Sequence, residues 1–163
     1  MTLTAVLIGL LAGILLTAIA VIIMMRSKML STIESPLGYD ATCNELEAAV
    51  TDLKDNGWSF PMERLDMYGK LAAKGKAPAN VKRMMSYFMC NPALAGSVLE
   101  TNPAISSIMP CTWSIYETTD GRVLISKMNV GLMSRIFGGS IHKTMMDVEE
   151  TEKEILRRIS NKK

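Results

Sequence analysis

A long apolar run near the beginning of the chain constrains the fold more than any other feature. Ala5–Met25 holds 21 residues and no charged side chain. As an α-helix this run would be about 31 Å long, which is enough to cross the hydrocarbon core of a bilayer. A cleaved signal peptide normally has a shorter apolar core behind a basic stretch, and no Lys or Arg precedes this run. We therefore predict that residues 1–28 form an uncleaved, single-pass anchor in the cell membrane.

The charges that follow the run favour one orientation in the membrane. Arg26 and Lys28 come directly after it, and basic residues tend to stay on the cytoplasmic side. We expect the rest of the chain to lie in the cytoplasm, although two charges leave the opposite side open.

Two glycines inside the run provide a surface for a partner helix. Gly9 and Gly13 have the G-x-x-x-G spacing, which lets a second helix approach closely. Glycine is also common in membrane helices without such a contact. We expect either a homodimer or a larger membrane complex as the partner of this face.

The remaining residues have an ordinary soluble composition. All 18 Lys and Arg and all 16 Asp and Glu lie from Arg26 onward, and the net charge is +2. A near-neutral balance gives no electrostatic support for nucleic-acid binding, so we expect no nucleic-acid partner.

The apolar periodicity of residues 29–163 predicts an α+β domain of strand, helix, four strands and helix, with a mainly antiparallel sheet. Asp120-Gly121 marks a hairpin turn, and Glu152 interrupts the apolar stripe of the last helix. The predicted elements are a strand at Met29–Leu37, a helix with capping-box spacing at Thr42 and Glu45, strands at Trp58–Leu65 and Val81–Cys90, a hairpin of Cys111–Glu117 and Arg122–Met128, a loop that could contain a helical turn at Asn129–Gly139, and a helix at Ser140–Ile159.

A succession of short motifs resembles the family catalogued as "domain of unknown function 302" across Ile33–Ile159. These motifs are Gly57-Trp58, Cys90-Asn91-Pro92, Pro110-Cys111, Tyr116-Glu117, Asp120-Gly121-Arg122-Val123 and Met128-Asn129. The resemblance implies a fold in the TATA-binding-protein-like class and frequent dimerisation, and it implies no activity. It also implies that the cysteines of the second and third motifs belong to one branch of the family.

Cys90 and Cys111 are the candidate catalytic residues. Each lies beside a proline at the junction of a predicted strand and a loop, so a redox pair or a sulfur-carrying thiol is one interpretation. Free cysteine is more often a small buried apolar residue, and no basic neighbour adjoins either thiol. Three Cys and one His have no zinc-finger spacing, so we assign no metal site.

The 14 methionines raise a second alternative, which is binding of a soft metal ion or of haem. Thioethers and thiolates suit Cu(I), and Met with His is a known pair of haem ligands. No metal-binding or haem-attachment spacing is present, and methionine also packs cores and adaptable pockets. The cofactor is therefore left open.

Four further residues are candidates for ligand binding. Gly138 and Gly139 precede the last predicted helix, where backbone amides with His142 could hold an anion, or could simply end a loop. Asn129 follows a strand and could bind a ligand or cap the next turn. Because no catalytic constellation is evident, we predict a membrane-anchored binding or accessory module rather than an enzyme.

Overall fold

The computed structural model describes residues 2–162. The apolar run lies in a helix, α1 (Leu3–Lys28), none of whose residues is buried. This helix is long and apolar enough to cross a membrane, a property that a signal sequence near the start of a chain can share.

Five strands form one antiparallel sheet after α1. They are β1 (Leu30–Glu34), β2 (Leu65–Asp66), β3 (Val81–Met89), β4 (Cys111–Thr118) and β5 (Val123–Met128). Their order across the sheet is β1-β5-β4-β3-β2, and every neighbouring pair is antiparallel. The predicted α+β class and the hairpin of β4 and β5 are confirmed.

Five more helices accompany the sheet. They are α2 (Tyr39–Asp52), α3 (Met67–Ala72), α4 (Pro92–Thr101), α5 (Val130–Phe137) and α6 (Gly139–Ser160), and short 3₁₀ helices lie at Lys54–Asn56 and Pro103–Ile108. Helices α2 and α6 pack on the sheet face that carries Trp113, Ile115 and Ile125, all of which are fully buried. These residues alternate with less buried ones because successive side chains of a strand point to opposite faces.

Two details of the prediction are wrong. The predicted strand at Trp58–Leu65 is a single bridge between Ser59 and Cys90 followed by the two-residue β2. Pro61 lies between them, and it cannot donate to a sheet ladder. Thr42 does not cap a helix, because it lies inside the first turn of α2, where its hydroxyl is 2.7 Å from that of buried Ser35. The helical turn that the loop after β5 could contain is a full helix, α5, which Asn129 begins.

The strand register defines one end of the sheet. Leu30 at the start of β1 pairs with Met128 at the end of β5, and Cys111 at the start of β4 pairs with Met89 at the end of β3. Since β1 follows α1 after a single residue, we call this the anchor end of the sheet. The turn at Gly121 lies at the opposite end.

Candidate functional site

A cavity lies at the anchor end of the sheet, between the strand ends, α4 and α6. Its volume is about 40 Å³, and it is partly open to solvent. This volume has room for only a few atoms, such as the end of an aliphatic chain. Its carbon-lined wall includes Trp58, Leu94, Val98, Ile108, Val130 and Val148.

The Asn91-Pro92 motif places α4 over this end of the sheet. The Asn91 side-chain oxygen accepts hydrogen bonds from the backbone N–H groups of Ala93 (3.1 Å) and Leu94 (3.3 Å), which start the helix. Its amide nitrogen donates to the carbonyl of Asn56 at 2.9 Å, which ties the helix to the preceding loop. Pro92 suits the first turn because its missing N–H would have had no partner there. The local sequence thus determines where α4, the helix that covers the cavity, begins.

Both candidate thiols line this cavity. Cys111 lies opposite Met89 in the ladder, and Cys90 directly follows the end of β3. Burial raises the pKa of Cys111 to about 12, and the charges of Glu152 and Cys90 add to the rise. Burial also raises the pKa of Cys90. At neutral pH both groups are therefore protonated thiols, which are poor nucleophiles.

The cavity is unusually rich in sulfur. Six of its lining residues carry a sulfur atom: Met89, Cys90, Met109, Cys111, Met128 and Met145. Thioether side chains are flexible and polarizable, so they can adapt the wall to an occupant. The same atoms are soft donors for a soft metal ion.

A buried ion pair lies beside the cavity, and sequence reasoning missed it. Lys127 Nζ donates to Glu152 Oε2 at 2.7 Å, and Trp113 Nε1 donates to Glu152 Oε1 at 3.0 Å. Lys127 is 8% exposed and Glu152 is 1% exposed. Burial raises the pKa of Glu152, whereas the charge of Lys127 opposes that rise. Both residues could have been noticed in the sequence. Glu152 interrupts the apolar stripe of α6, and Lys127 occupies the next inward position of β5 after Val123 and Ile125.

Comparisons with known proteins bear on the fold and the family. A family model described as "Domain of unknown function DUF302" matches residues 31–161. The chain belongs to this family. It is similar to the crystal structure of an uncharacterized conserved DUF302 protein from Bacillus stearothermophilus, with a TM-score of 0.68 and 22% identity over 80% of this chain and 98% of that chain. At this identity the likeness shows the fold alone. No curated protein matches the chain.

The other candidate residues lie outside the cavity of the DUF302 domain. Asn129 caps α5 by accepting a hydrogen bond from the backbone N–H of Leu132 at 3.0 Å. His142 Nδ1 lies 2.8 Å from the hydroxyl of buried Ser134, on the neighbouring helix. Gly138 has a positive φ of 65° at the junction of α5 and α6, a conformation that glycine adopts without strain. This geometry accounts for Asn129 and Gly138 as structural residues.

The glycine face of α1 is open along its length. An added Cβ at Gly9 or at Gly13 would meet no atom within 4 Å. A groove follows this face and continues past Thr17, whose hydroxyl donates to the carbonyl of Gly13 at 2.8 Å. The structure thus places the predicted helix–helix contact residues on one groove.

Hard-metal chemistry finds no support among residues 2–162. In that part of the chain, no three His, Cys, Asp or Glu side chains are grouped so that they could hold a metal ion. The carboxylate nearest the cavity, Glu152, already accepts from Trp113 and Lys127.

Proposed function

We propose that this protein is a membrane-anchored binding module whose DUF302 domain accepts the end of a small apolar molecule in the sulfur-lined cavity. The observation that carries the proposal is the cavity, with its apolar wall at the anchor end of the sheet. Concave apolar sites of this kind are the usual place for small molecules to bind. Flexible methionines at Met109, Met128 and Met145 can widen it for an occupant larger than its resting volume.

The anchor gives this module its location and its partner. We propose that α1 crosses the cell membrane once and that Arg26 and Lys28 hold the DUF302 domain on the cytoplasmic side. We further propose that Gly9 and Gly13 pack against a second copy or another membrane subunit. The open groove along this face supports that role, because small residues let helix backbones approach closely.

A cavity-filling variant tests the binding proposal. Ala95 lines the cavity on α4, whereas Ala93 is exposed on the same helix and does not line it. The full chain is purified from the membranes in which it is made, and its organic extract is analysed by mass spectrometry. We expect the extracts of the wild type and of Ala93→Leu to contain the same apolar compound in near-equal amounts. The extract of Ala95→Leu should contain at least tenfold less of it. Identical extracts from all three proteins would contradict the proposal.

Binding of a soft monovalent metal ion, such as Cu(I), is the second candidate function. The observation that favours it is the convergence of two thiols and four thioethers on one small cavity. Metal binding would displace the thiol protons, so the raised pKa values of Cys90 and Cys111 make affinity increase with pH. A thiol-redox or sulfur-transfer role uses the same two residues but needs a thiolate, which burial disfavours.

Competition for Cu(I) tests the metal candidate. The reduced full chain is titrated against the coloured Cu(I) complex of bicinchoninate, and loss of colour reports transfer to the protein. We expect stoichiometric transfer to the wild type and to Cys43→Ala, since Cys43 lies in the core outside the cavity. The Cys90→Ser, Cys111→Ser double variant should lose it. Equal transfer to all three would exclude this site.

A further inference from the structure

Large apolar side chains of the DUF302 domain are exposed mainly beside the anchor. After α1, the described residues include four such side chains that are clearly exposed: Leu30 at 66%, Met62 at 51%, Ile136 at 62% and Phe137 at 37%. Leu30 begins β1 directly after the anchor, and Ile136 and Phe137 end α5. Ile136 and Phe137 adjoin each other in the chain, and a contiguous exposed apolar surface of this kind is a candidate contact surface.

Helix α5 lies beside the last turns of α1, with a groove between the two helices. Residues of both helices line one groove: Val21, Met24, Met25 and Met29 from the anchor side, and Leu132, Met133, Arg135 and Ile136 from α5. The backbone N–H of Asn129 donates to the carbonyl of Met29 at 2.8 Å, which fixes the start of α5 next to the end of α1. The apolar surface of α5 is therefore continuous with the apolar surface of the anchor.

The other face of α5 is held by the domain. Val130 and Ser134 are buried, and the carboxylate of Glu149 on α6 lies against Gly131, where a Cβ would overlap it. Glu149 also pairs with Lys153 at 3.2 Å. The helix is thus amphipathic, with one face packed on α6 and the opposite face bare.

The charges around this surface are basic. Residues 129–146 contain Arg135 and Lys143 and no Asp or Glu, and the end of α1 adds Arg26 and Lys28. All four side chains are exposed. Basic residues beside an apolar face match a lipid surface with anionic headgroups, which attract them.

We propose that Leu30, Ile136 and Phe137 form an interfacial seat that enters the headgroup region of the same membrane that α1 crosses, with Arg135 and Lys143 on anionic lipid headgroups. The inference rests on the proposed anchoring by α1. A helix of eight residues binds a membrane weakly by itself, so the anchor supplies the proximity and the seat sets the orientation. The anchor end of the sheet, and with it the cavity, then faces the bilayer.

Depth-dependent fluorescence quenching tests the seat. The full chain is reconstituted in vesicles of phosphatidylcholine and phosphatidylglycerol whose acyl chains carry bromine near the headgroup. The native Trp58 and Trp113 are buried and provide a constant background. We expect the new indole of Phe137→Trp to be quenched by the brominated lipid and to be several-fold less accessible to aqueous acrylamide than a free indole.

Two further variants separate the seat from the anchor. Thr119→Trp places an exposed indole in the hairpin turn at the other end of the sheet, where acrylamide and not bromine should quench it. Leu15→Trp places one in the middle of α1, where lipid brominated deep in the acyl chains should quench it. If Leu15→Trp is quenched and Phe137→Trp behaves like Thr119→Trp, the seat is wrong and the anchor stands.

Two other results would also overturn the seat. If Leu15→Trp is not quenched by lipid, the anchoring itself fails and the seat fails with it. If Phe137→Trp is shielded from acrylamide but is not quenched by brominated lipid, a protein covers this surface instead of the bilayer.

Discussion

At the scale of single residues, the buried pair of Lys127 and Glu152 is the most consequential feature. Two charges have been removed from water, and Trp113 satisfies the second carboxylate oxygen. A buried pair contributes little net stability against apolar replacements, but losing one partner leaves an uncompensated charge. The pair therefore makes this wall of the cavity sensitive to single substitutions.

We expect Lys127→Met to lower the free energy of unfolding by about 3–5 kcal/mol near neutral pH, because Glu152 keeps a buried charge. The double variant Lys127→Met, Glu152→Leu should recover most of that loss. Without Lys127, the pKa of Glu152 in the folded protein rises further above its unfolded value. A carboxyl group whose pKa is raised in the folded protein stabilises the fold at pH values below its unfolded pKa, and this contribution is lost as pH rises. The stability of the single variant relative to the wild type should therefore increase as pH falls towards about 4.

Denaturant unfolding of the full chain in detergent, followed by tryptophan emission, measures these differences. The double variant serves as the matched control. Equal losses for the single and the double variant, or a loss in Lys127→Met that does not change with pH, would contradict the ion-pair account.

The thiols make a second prediction at this scale. With its pKa raised to about 12, Cys111 should react with iodoacetamide near pH 8 about a thousandfold more slowly than a free cysteine. The rate should increase roughly tenfold per pH unit while the protein stays folded. Trapping followed by mass spectrometry measures this, with the denatured chain as control. Labelling of Cys111 at the free-cysteine rate would instead favour the redox alternative.

At the scale of elements, short helices that begin at asparagine caps decide where the surfaces lie. Asn91 starts α4 over the cavity, and Asn129 starts α5 beside the anchor. Asn129 follows β5 directly, and Asn91 follows β3 after the single residue Cys90, so each cap begins a helix where a strand ends. The position of each helix depends on a side chain rather than on a long periodic pattern.

We expect Asn91→Ala to lower the free energy of unfolding by about 1–3 kcal/mol, since it removes the cap of α4 and also the hydrogen bond that ties buried Asn91 to the carbonyl of Asn56. Asn102→Ala is the matched control, because Asn102 caps the next 3₁₀ helix through one bond to the N–H of Ala104 and is less buried. Thermal melting followed by circular dichroism compares them. A larger loss for Asn102→Ala would show that the contact with Asn56 is unimportant.

At the scale of the whole molecule, the proposed anchor α1 passes into a folded domain with a single residue between them. The sheet begins at Leu30 and α1 ends at Lys28. If α1 crosses the membrane as we propose, the domain has little freedom to move away from the membrane surface, and the proposed association between copies can use the anchor and the domain together.

We expect the wild type to migrate as an oligomer on blue native gels in mild detergent, and Gly13→Ile to shift it towards the monomer by blocking close helix approach. Leu11→Ile, on the opposite side of α1, is the control and should leave the oligomer unchanged. A wild type that is only monomeric would exclude self-association. An oligomer that survives Gly13→Ile would place the contact elsewhere.

Features that depend on local order can be derived from the sequence alone. The apolar run, the hairpin at Asp120-Gly121 and the long helix that became α6 were predictable, because hydrophobic periodicity and turn chemistry act over a few residues. The motifs around Cys90 and Cys111 also led to the family, whose fold the structure confirms. The sequence allowed a helical turn where α5 lies but did not give its length, because eight residues carry little periodic signal.

Which residues meet across the molecule depends on the three-dimensional fold. The cavity needs the ends of β3, β4 and β5 to coincide, and that register comes from pairing between strands far apart in the chain. Glu152 looked like an interruption of a stripe until Lys127, 25 residues away, was found 2.7 Å from it. The exposed face of α5 could be interpreted only once the fold placed it beside α1. Each of these depends on long-range contacts, which local patterns do not encode.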